Sequence, residues 1–106
     1  MDVEHIAAER NLHAVSPDGL WHEVTLTILM PNARSGGGWR APILLKGLED
    51  RVHNVAGMDS WQALSLAMRF ARARLSHFVE NGWKLYWDRE GTPFLLENLE
   101  SASDPI

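Results

Sequence analysis

The 106-residue sequence contains no cysteine. Disulfides, iron–sulfur clusters, thiolate zinc sites and a cysteine nucleophile are therefore excluded together. No apolar run approaches the roughly 20 residues that a membrane-crossing helix needs. The opening Met1-Asp2-Val3-Glu4-His5 lacks the basic start and apolar stretch of a signal peptide. A cytoplasmic location away from membranes is the expectation. Lysine is scarce, with two lysines beside eight arginines, and fourteen acidic residues bring the net charge to −4. An acidic chain of this kind is not a default partner for nucleic acid. What the sequence has in excess is tryptophan, five in all. Length and a 45% apolar share fit one globular domain able to bury its own core. The reading places that domain at residues 1–99 and a loose tail at 100–106.

No internal repeat or low-complexity segment interrupts the chain. In the first segment Ile6, Ala8, Leu12 and Ala14 share one parity, as in a strand; a short helix through Val3, Ile6, Ala7 and Arg10 fits nearly as well. Ser16-Pro17-Asp18-Gly19 is a turn, because proline fixes φ, aspartate bonds its own backbone and glycine accepts positive φ. From Trp21 to Met30 the alternation is regular. His22, Val24, Leu26, Ile28 and Met30 form one face, and Trp21, Glu23, Thr25, Thr27 and Leu29 the other. Pro31 stops this strand, since it has no N–H for the ladder. Residues 32–38 form a glycine-rich loop, a third strand runs over 39–48, a tight turn falls at Glu49-Asp50, and a fourth strand covers 51–56.

A helix over about 60–81 has both ends marked. Asp59 followed by Gln62 fits an N-cap and its third-position partner, and Gly82 fits the left-handed residue that ends a helix. Leu64, Ala67, Ala71, Leu75 and Phe78 form the expected inner stripe. A hairpin of Trp83-Lys84-Leu85-Tyr86-Trp87 and Phe94-Leu95-Leu96 closes the chain. The implied architecture is α+β, an antiparallel sheet of four to six strands with one long helix on one face, in the order β-β-β-β-α-β-β.

The stretch Gly57-Met58-Asp59-Ser60-Trp61-Gln62-Ala63-Leu64-Ser65-Leu66-Ala67-Met68 resembles the G-x-D-S-x-Q-A-L-x-L-A signature of a family of small bacterial domains of unknown function. Further similarities follow in order: Ile6-Ala7-Ala8-Glu9-Arg10-Asn11-Leu12, then Pro31, then Gly38-Trp39-Arg40-Ala41-Pro42, Gly47-Leu48 and Leu85-Tyr86-Trp87. The resemblance spans residues 6–87 and implies a stand-alone domain of bacterial origin. It carries no activity and therefore no functional residues. The chain departs from the family pattern at Ala41, where cysteine is common, and in a less acidic loop at 32–38.

Candidate chemistry is thin. Ser35-Gly36-Gly37-Gly38 leads into a strand, whereas a phosphate cradle leads into a helix N-terminus. The five histidines, His5, His13, His22, His53 and His77, show no H-x-H, i,i+4 or H-E-x-x-H spacing, so no metal site is expected. Ser60 beside Asp59, with His53 nearby in sequence, is the best nucleophile arrangement, and helix capping already explains it. Neither enzyme activity nor a cofactor is expected. Arg69, Arg72 and, less clearly, Arg74 lie on the helix's outer face. Trp21 and Trp39 are expected to be partly exposed, Trp87 to lie inside, and Trp61 to staple the first helical turn to the sheet.

The segment Ile43-Leu44-Leu45 is apolar on both parities, although one helix covers only one sheet face. The leading expectation is thus a non-enzymatic protein-interaction module that binds another protein or a second copy of itself, with an immunity or inhibitor role as its narrower form. Candidate partner-binding residues are Trp21, Trp39, Arg40, Arg69 and Arg72. A ligand pocket or enzyme site near Trp39, His53 and Trp61 is the first alternative. A nucleic-acid accessory role for the arginine face is the second.

Overall fold

A computed structural model describes residues 5–100. Six antiparallel strands form one sheet, with a single long helix against one face. The strands are β1 (Ile6–Val15), β2 (Trp21–Leu29), β3 (Asn32–Ala33), β4 (Trp39–Lys46), β5 (Val52–Gly57) and β6 (Lys84–Tyr86); α1 (Ser60–Glu80) lies between β5 and β6. The first segment is a strand throughout its described length; Val3, which belonged to the helical alternative, lies outside the described residues.

β4 pairs with β2 on one side and β5 on the other, so Ile43 lies between Ile28 and His53. β1 pairs with β2 and with β6. β3 was not expected. It prolongs the β2–β4 hairpin beyond Pro31, with Asn32 opposite Arg40 and Ala33 opposite Trp39. β4 ends at Lys46, two residues before the expected end, because Gly47 turns the chain at φ +93°.

The alternation read from the sequence sets the two faces. Leu12 and Ala14 from β1, Val24, Leu26 and Ile28 from β2, and Ala41, Ile43 and Leu45 from β4 form the buried core with Leu85, Phe94 and the helix. The helix contributes Ala63, Ala67, Ala71 and Leu75, all buried. Leu64 and Phe78, expected on that stripe, are only half-buried. The difference has a packing cause: small side chains on the inner stripe let the helix backbone approach the sheet closely.

The helix ends are built as the sequence implies. Asp59 Oδ1 accepts the Gln62 amide at 2.7 Å, and Gln62 Oε1 accepts the Met58 amide at 2.8 Å. At the far end Gly82 takes φ +97° and the Trp83 amide returns to the Phe78 carbonyl at 3.0 Å, satisfying carbonyls the helix leaves open.

The closing hairpin is shorter than expected. Its second arm is reduced to a bridge between Tyr86 and Pro93, and Leu96–Leu99 form a 3-10 helix in place of strand. Arg10 fastens this segment to the helix side of β1. Its Nη1 donates to the Asn98 carbonyl at 3.2 Å, and its guanidinium lies 5.1 Å from the Trp87 ring centre. Trp87 is therefore not inside: it is 37% exposed, because β6 ends at Tyr86 and strand parity stops there. Glu100, placed in the loose tail, pairs with Arg72 at 3.1 Å; residues 101–106 lie outside the described residues.

Candidate functional site

The sheet face opposite α1 carries the odd-numbered residues of β2. Trp21 stands at its start, opposite Val15, while His13 of β1 is paired with both Glu23 and Tyr86. This register gathers three rings. Trp21 stacks on Tyr86 with centroids 5.3 Å apart, and His13 meets Trp21 edge-on at 6.3 Å. The Arg89 guanidinium lies 5.8 Å from the Trp21 ring centre. Arg89 is held there by the turn that follows β6, where Asp88 accepts the Thr92 amide at 3.0 Å and the Thr92 hydroxyl at 2.7 Å. Those two bonds hold the Asp88 carboxyl below its usual range. Trp21 remains 41% exposed, so the stack is a platform open on one side.

Strand parity places Arg40 and Lys46 of β4 and Lys84 of β6 on the same face. They share it with two strand carboxylates, Glu9 and Glu23, and Arg40, opposite Asn32, lies at the far end from Trp21. The turn after β6 adds Arg89 between Asp88 and Glu90. Among the described residues none of the four cations forms an ion pair; Arg40 Nε instead donates to Asn32 Oδ1 at 3.1 Å. Glu9 is turned to the sheet, where its Oε2 accepts the Thr27 hydroxyl at 2.9 Å and helps bury that threonine.

The expected site residues are thus separated. Trp21 and Arg40 share the helix-free face. Trp39, on the opposite parity, is half-buried against the core on the helix side. Arg69 is exposed on the helix surface, Arg72 is neutralised by Glu100, and Arg74 turns toward the sheet to bond Glu49. Arg69 and Arg72 line one cleft with Leu96 and Glu100, and Arg74 lies apart from them.

The suggested grouping of Trp39, His53 and Trp61 is not assembled either. His53 pairs with Ile43 and Trp39 with Gly57, four residues apart along β5, or about 14 Å. Trp61 points into solvent at 80% exposure and staples nothing, because the inner stripe Ala63-Ala67-Ala71 turns it outward. Asp59 is occupied as the helix cap, and His53 is bonded to Glu49, so neither serves Ser60.

One polar cluster was not foreseen. His53 Nε2 donates to Glu49 Oε1 at 2.6 Å, and Arg74 Nη2 donates to Glu49 Oε2. The Phe70 ring lies 4.7 Å from the imidazole. Burial raises the Glu49 pKa, but the bonds from His53 and Arg74 outweigh it and leave the carboxyl below its usual range. The cluster ties the β4–β5 turn to the middle of α1. Its sequence signal was the four-residue spacing of Glu49 and His53 across that turn.

A cleft of about 130 Å³ lies between Ala8, Leu26 and Ile28 of the sheet, Met68 and Ala71 of α1, and Leu99. Among the described residues no group of three or more histidine or acidic side chains is arranged to hold a metal ion. Among the described residues no helix is long and apolar enough to cross a membrane.

The architecture defines the class: an α+β domain whose antiparallel sheet is covered by helix on one side and carries the exposed Trp21–Tyr86 stack with Arg89 on the other. Within that class the chain belongs to the family described as Domain of unknown function (DUF6968), whose model matches residues 8–95. The matched stretch contains the helix-start motif, Gly47, and the Trp21 platform with Tyr86 and Arg89. Neither the curated proteins nor the solved structures include a match to this chain.

Proposed function

We propose that the protein is a non-enzymatic binding module whose helix-free sheet face takes an acidic segment of another protein. The observation that carries this reading is Trp21, stacked on Tyr86 beneath Arg89 and still 41% exposed, on a face where Arg89, Lys84 and Lys46 form no ion pair among the described residues. Exposed aromatic rings with arginine are the groups that dominate binding energy at protein interfaces. Cations free of ion pairs have only water to give up to an incoming carboxylate, and they steer it by charge.

The narrower immunity or inhibitor role of a bacterial protein requires a basic target, as expected from the net acidity of the chain. The Trp21 end of the face presents Arg89, Lys84 and Lys46, so such a target would dock elsewhere on the molecule. The acidic partner is the better fit here. A nucleic-acid strand would meet the same cations and rings, and the oligonucleotide arm of the test separates it from an acidic segment.

The test is binding of a fluorescent oligoglutamate peptide, followed by anisotropy at low salt, beside oligolysine and a single-stranded oligonucleotide of equal length. Saturable oligoglutamate binding that weakens with salt, and falls at least about tenfold in Trp21→Ala and in Lys46→Glu, supports the reading. Preference for oligolysine or the oligonucleotide, or binding indifferent to both substitutions, overturns it.

A further inference from the structure

α1 packs on β4 and β5 and meets β2 only lightly, so it leaves the helix-side face of β1 to other cover. That cover is the 3-10 helix Leu96–Leu99, which touches α1 and is held to β1 by the bond from Arg10 to Asn98. The seam between the two helices is the cleft of about 130 Å³. Its walls are Ala8, Leu26, Ile28, Met68, Ala71 and Leu99, every one of them apolar. A cavity of roughly 150 Å³ holds one benzene ring, so this cleft has room for about six carbon atoms. It opens to the surface beside Met68, which is 46% exposed.

Three charged residues also line the cleft, and only one has charge to spare. The Glu9 carboxylate is bonded to Thr27, and Glu100 is paired with Arg72 at 3.1 Å. Arg10 differs. It is half-buried, and among the described residues no carboxylate lies within ion-pair distance of it. One N–H is bonded to the carbonyl of Asn98, the residue before Leu99, and the Trp87 and Phe94 rings hold the guanidinium at 5.1 and 5.7 Å. Its remaining N–H groups are not sealed in the interior. A guanidinium fixed in place, short of a carboxylate and beside an apolar cleft, matches a carboxylate carried on a short hydrocarbon chain.

We infer that this cleft binds an aliphatic monocarboxylate of about six carbons, with its chain between α1 and the 3-10 helix and its carboxylate on Arg10. The Leu, Ile and Met side chains of the walls suit a flexible chain, and Ala8 and Ala71 leave the space that it fills. An amine of the same length meets Arg10 as a like charge. An alcohol fills the cleft but forms no ion pair. The cleft lies on the helix side of the sheet, so this inference is independent of the acidic-partner reading, which concerns the opposite face.

The test is titration of the full chain with hexanoate to about 50 mM, followed by the Met68 and Leu99 methyl signals in NMR spectra, beside acetate, hexanol and hexylamine. Hexanoate is expected to saturate both signals, with an affinity at least about tenfold above those of acetate and hexylamine. Arg10→Met should weaken hexanoate at least about tenfold and leave hexanol unchanged, which also shows that the variant is folded. Ala8→Leu fills the cleft and should weaken hexanoate and hexanol alike. Should Arg10→Met fail to fold, the order hexanoate over hexanol over hexylamine on the unaltered chain decides. The absence of a saturable shift overturns the inference, as does acetate or hexylamine binding as tightly as hexanoate. So does hexanoate binding that is indifferent to Arg10→Met. Methyl signals that move on dilution and ignore hexanoate would give the cleft to a second copy, and overturn it too.

Discussion

Gly57 lies directly against Ala63. A Cβ on Gly57 would stand 2.4 Å from the Ala63 amide nitrogen and 2.7 Å from its Cα, both backbone atoms that a side-chain rotation cannot move aside. This contact sets how closely the end of β5 meets the first turn of α1, and it explains why the helix-start motif opens on glycine. Gly57 does not need glycine for its φ, so the requirement comes from space alone. Gly57→Ala is expected to destabilise the fold by about 1–3 kcal/mol through overpacking. Gly36→Ala, where a Cβ meets nothing within 4 Å, carries only the backbone penalty of its φ of +91°. Urea denaturation of the two variants separates the contributions; equal losses would remove the close-contact explanation.

Glu49 makes stability depend on acid. Its carboxyl is held below the usual glutamate value of 4.5, so in that range the unfolded chain binds a proton that the folded chain does not. The contribution is therefore complete above the usual value and fades as pH falls through the lower folded-state pKa. Glu49→Gln should cost about 2 kcal/mol at neutral pH, since His53 and Arg74 lose a charged acceptor. The difference from wild type should shrink as pH falls below the usual glutamate value of 4.5. Denaturation midpoints measured between pH 3 and pH 7 give the profile, and parallel curves would mean that Glu49 does not carry the acid sensitivity.

The two tryptophans near the helix start should behave oppositely. Trp61 is 80% exposed, and Trp61→Ala should change stability by less than about 0.5 kcal/mol. Trp39 packs against the core, and Trp39→Ala should cost about 3 kcal/mol. Chemical denaturation decides this, and the reverse order would require the first helical turn to be rotated toward the sheet.

Asp59 gives a test of capping against chemistry. Asp59→Ala removes the acceptor of the Gln62 amide and should lower stability by about 1 kcal/mol, while Asp59→Asn should retain most of it. Thermal unfolding reads the difference. A loss in Asp59→Asn as large as in Asp59→Ala would point to a role for the charge beyond capping.

Much of the fold was legible because local chemistry and tertiary structure agree there. The strict alternation from Trp21 onward assigned both faces of β2, and Asp59, Gln62 and Gly82 marked the helix ends before any packing was known. The candidate site was legible only in part. Trp21 was placed on the helix-free face by parity, but its partners were not, since Tyr86 and Arg89 reach it from more than 60 residues away through the β1–β6 pairing.

Three features were decided only in three dimensions. The inner stripe of α1 takes in Ala63 beside the expected Ala67, Ala71 and Leu75, because close approach to the sheet selects small side chains, whereas a hydrophobic pattern weights the larger Leu64 and Phe78. That rotation alone sends Trp61 into solvent. The arginines of α1 divide because Arg74 is drawn to Glu49 while Arg72 stays beside Arg69 and pairs with Glu100. Strand order decides which edge is left open, and β5 became that edge because β4 had room for it on the side away from β2. The sequence by itself determined the elements, their caps and the inward face of each strand, since these follow from backbone preference and period. The assembly of the ring stack, the Glu49 cluster and the free edge depended on pairings between distant segments, which local propensity does not encode.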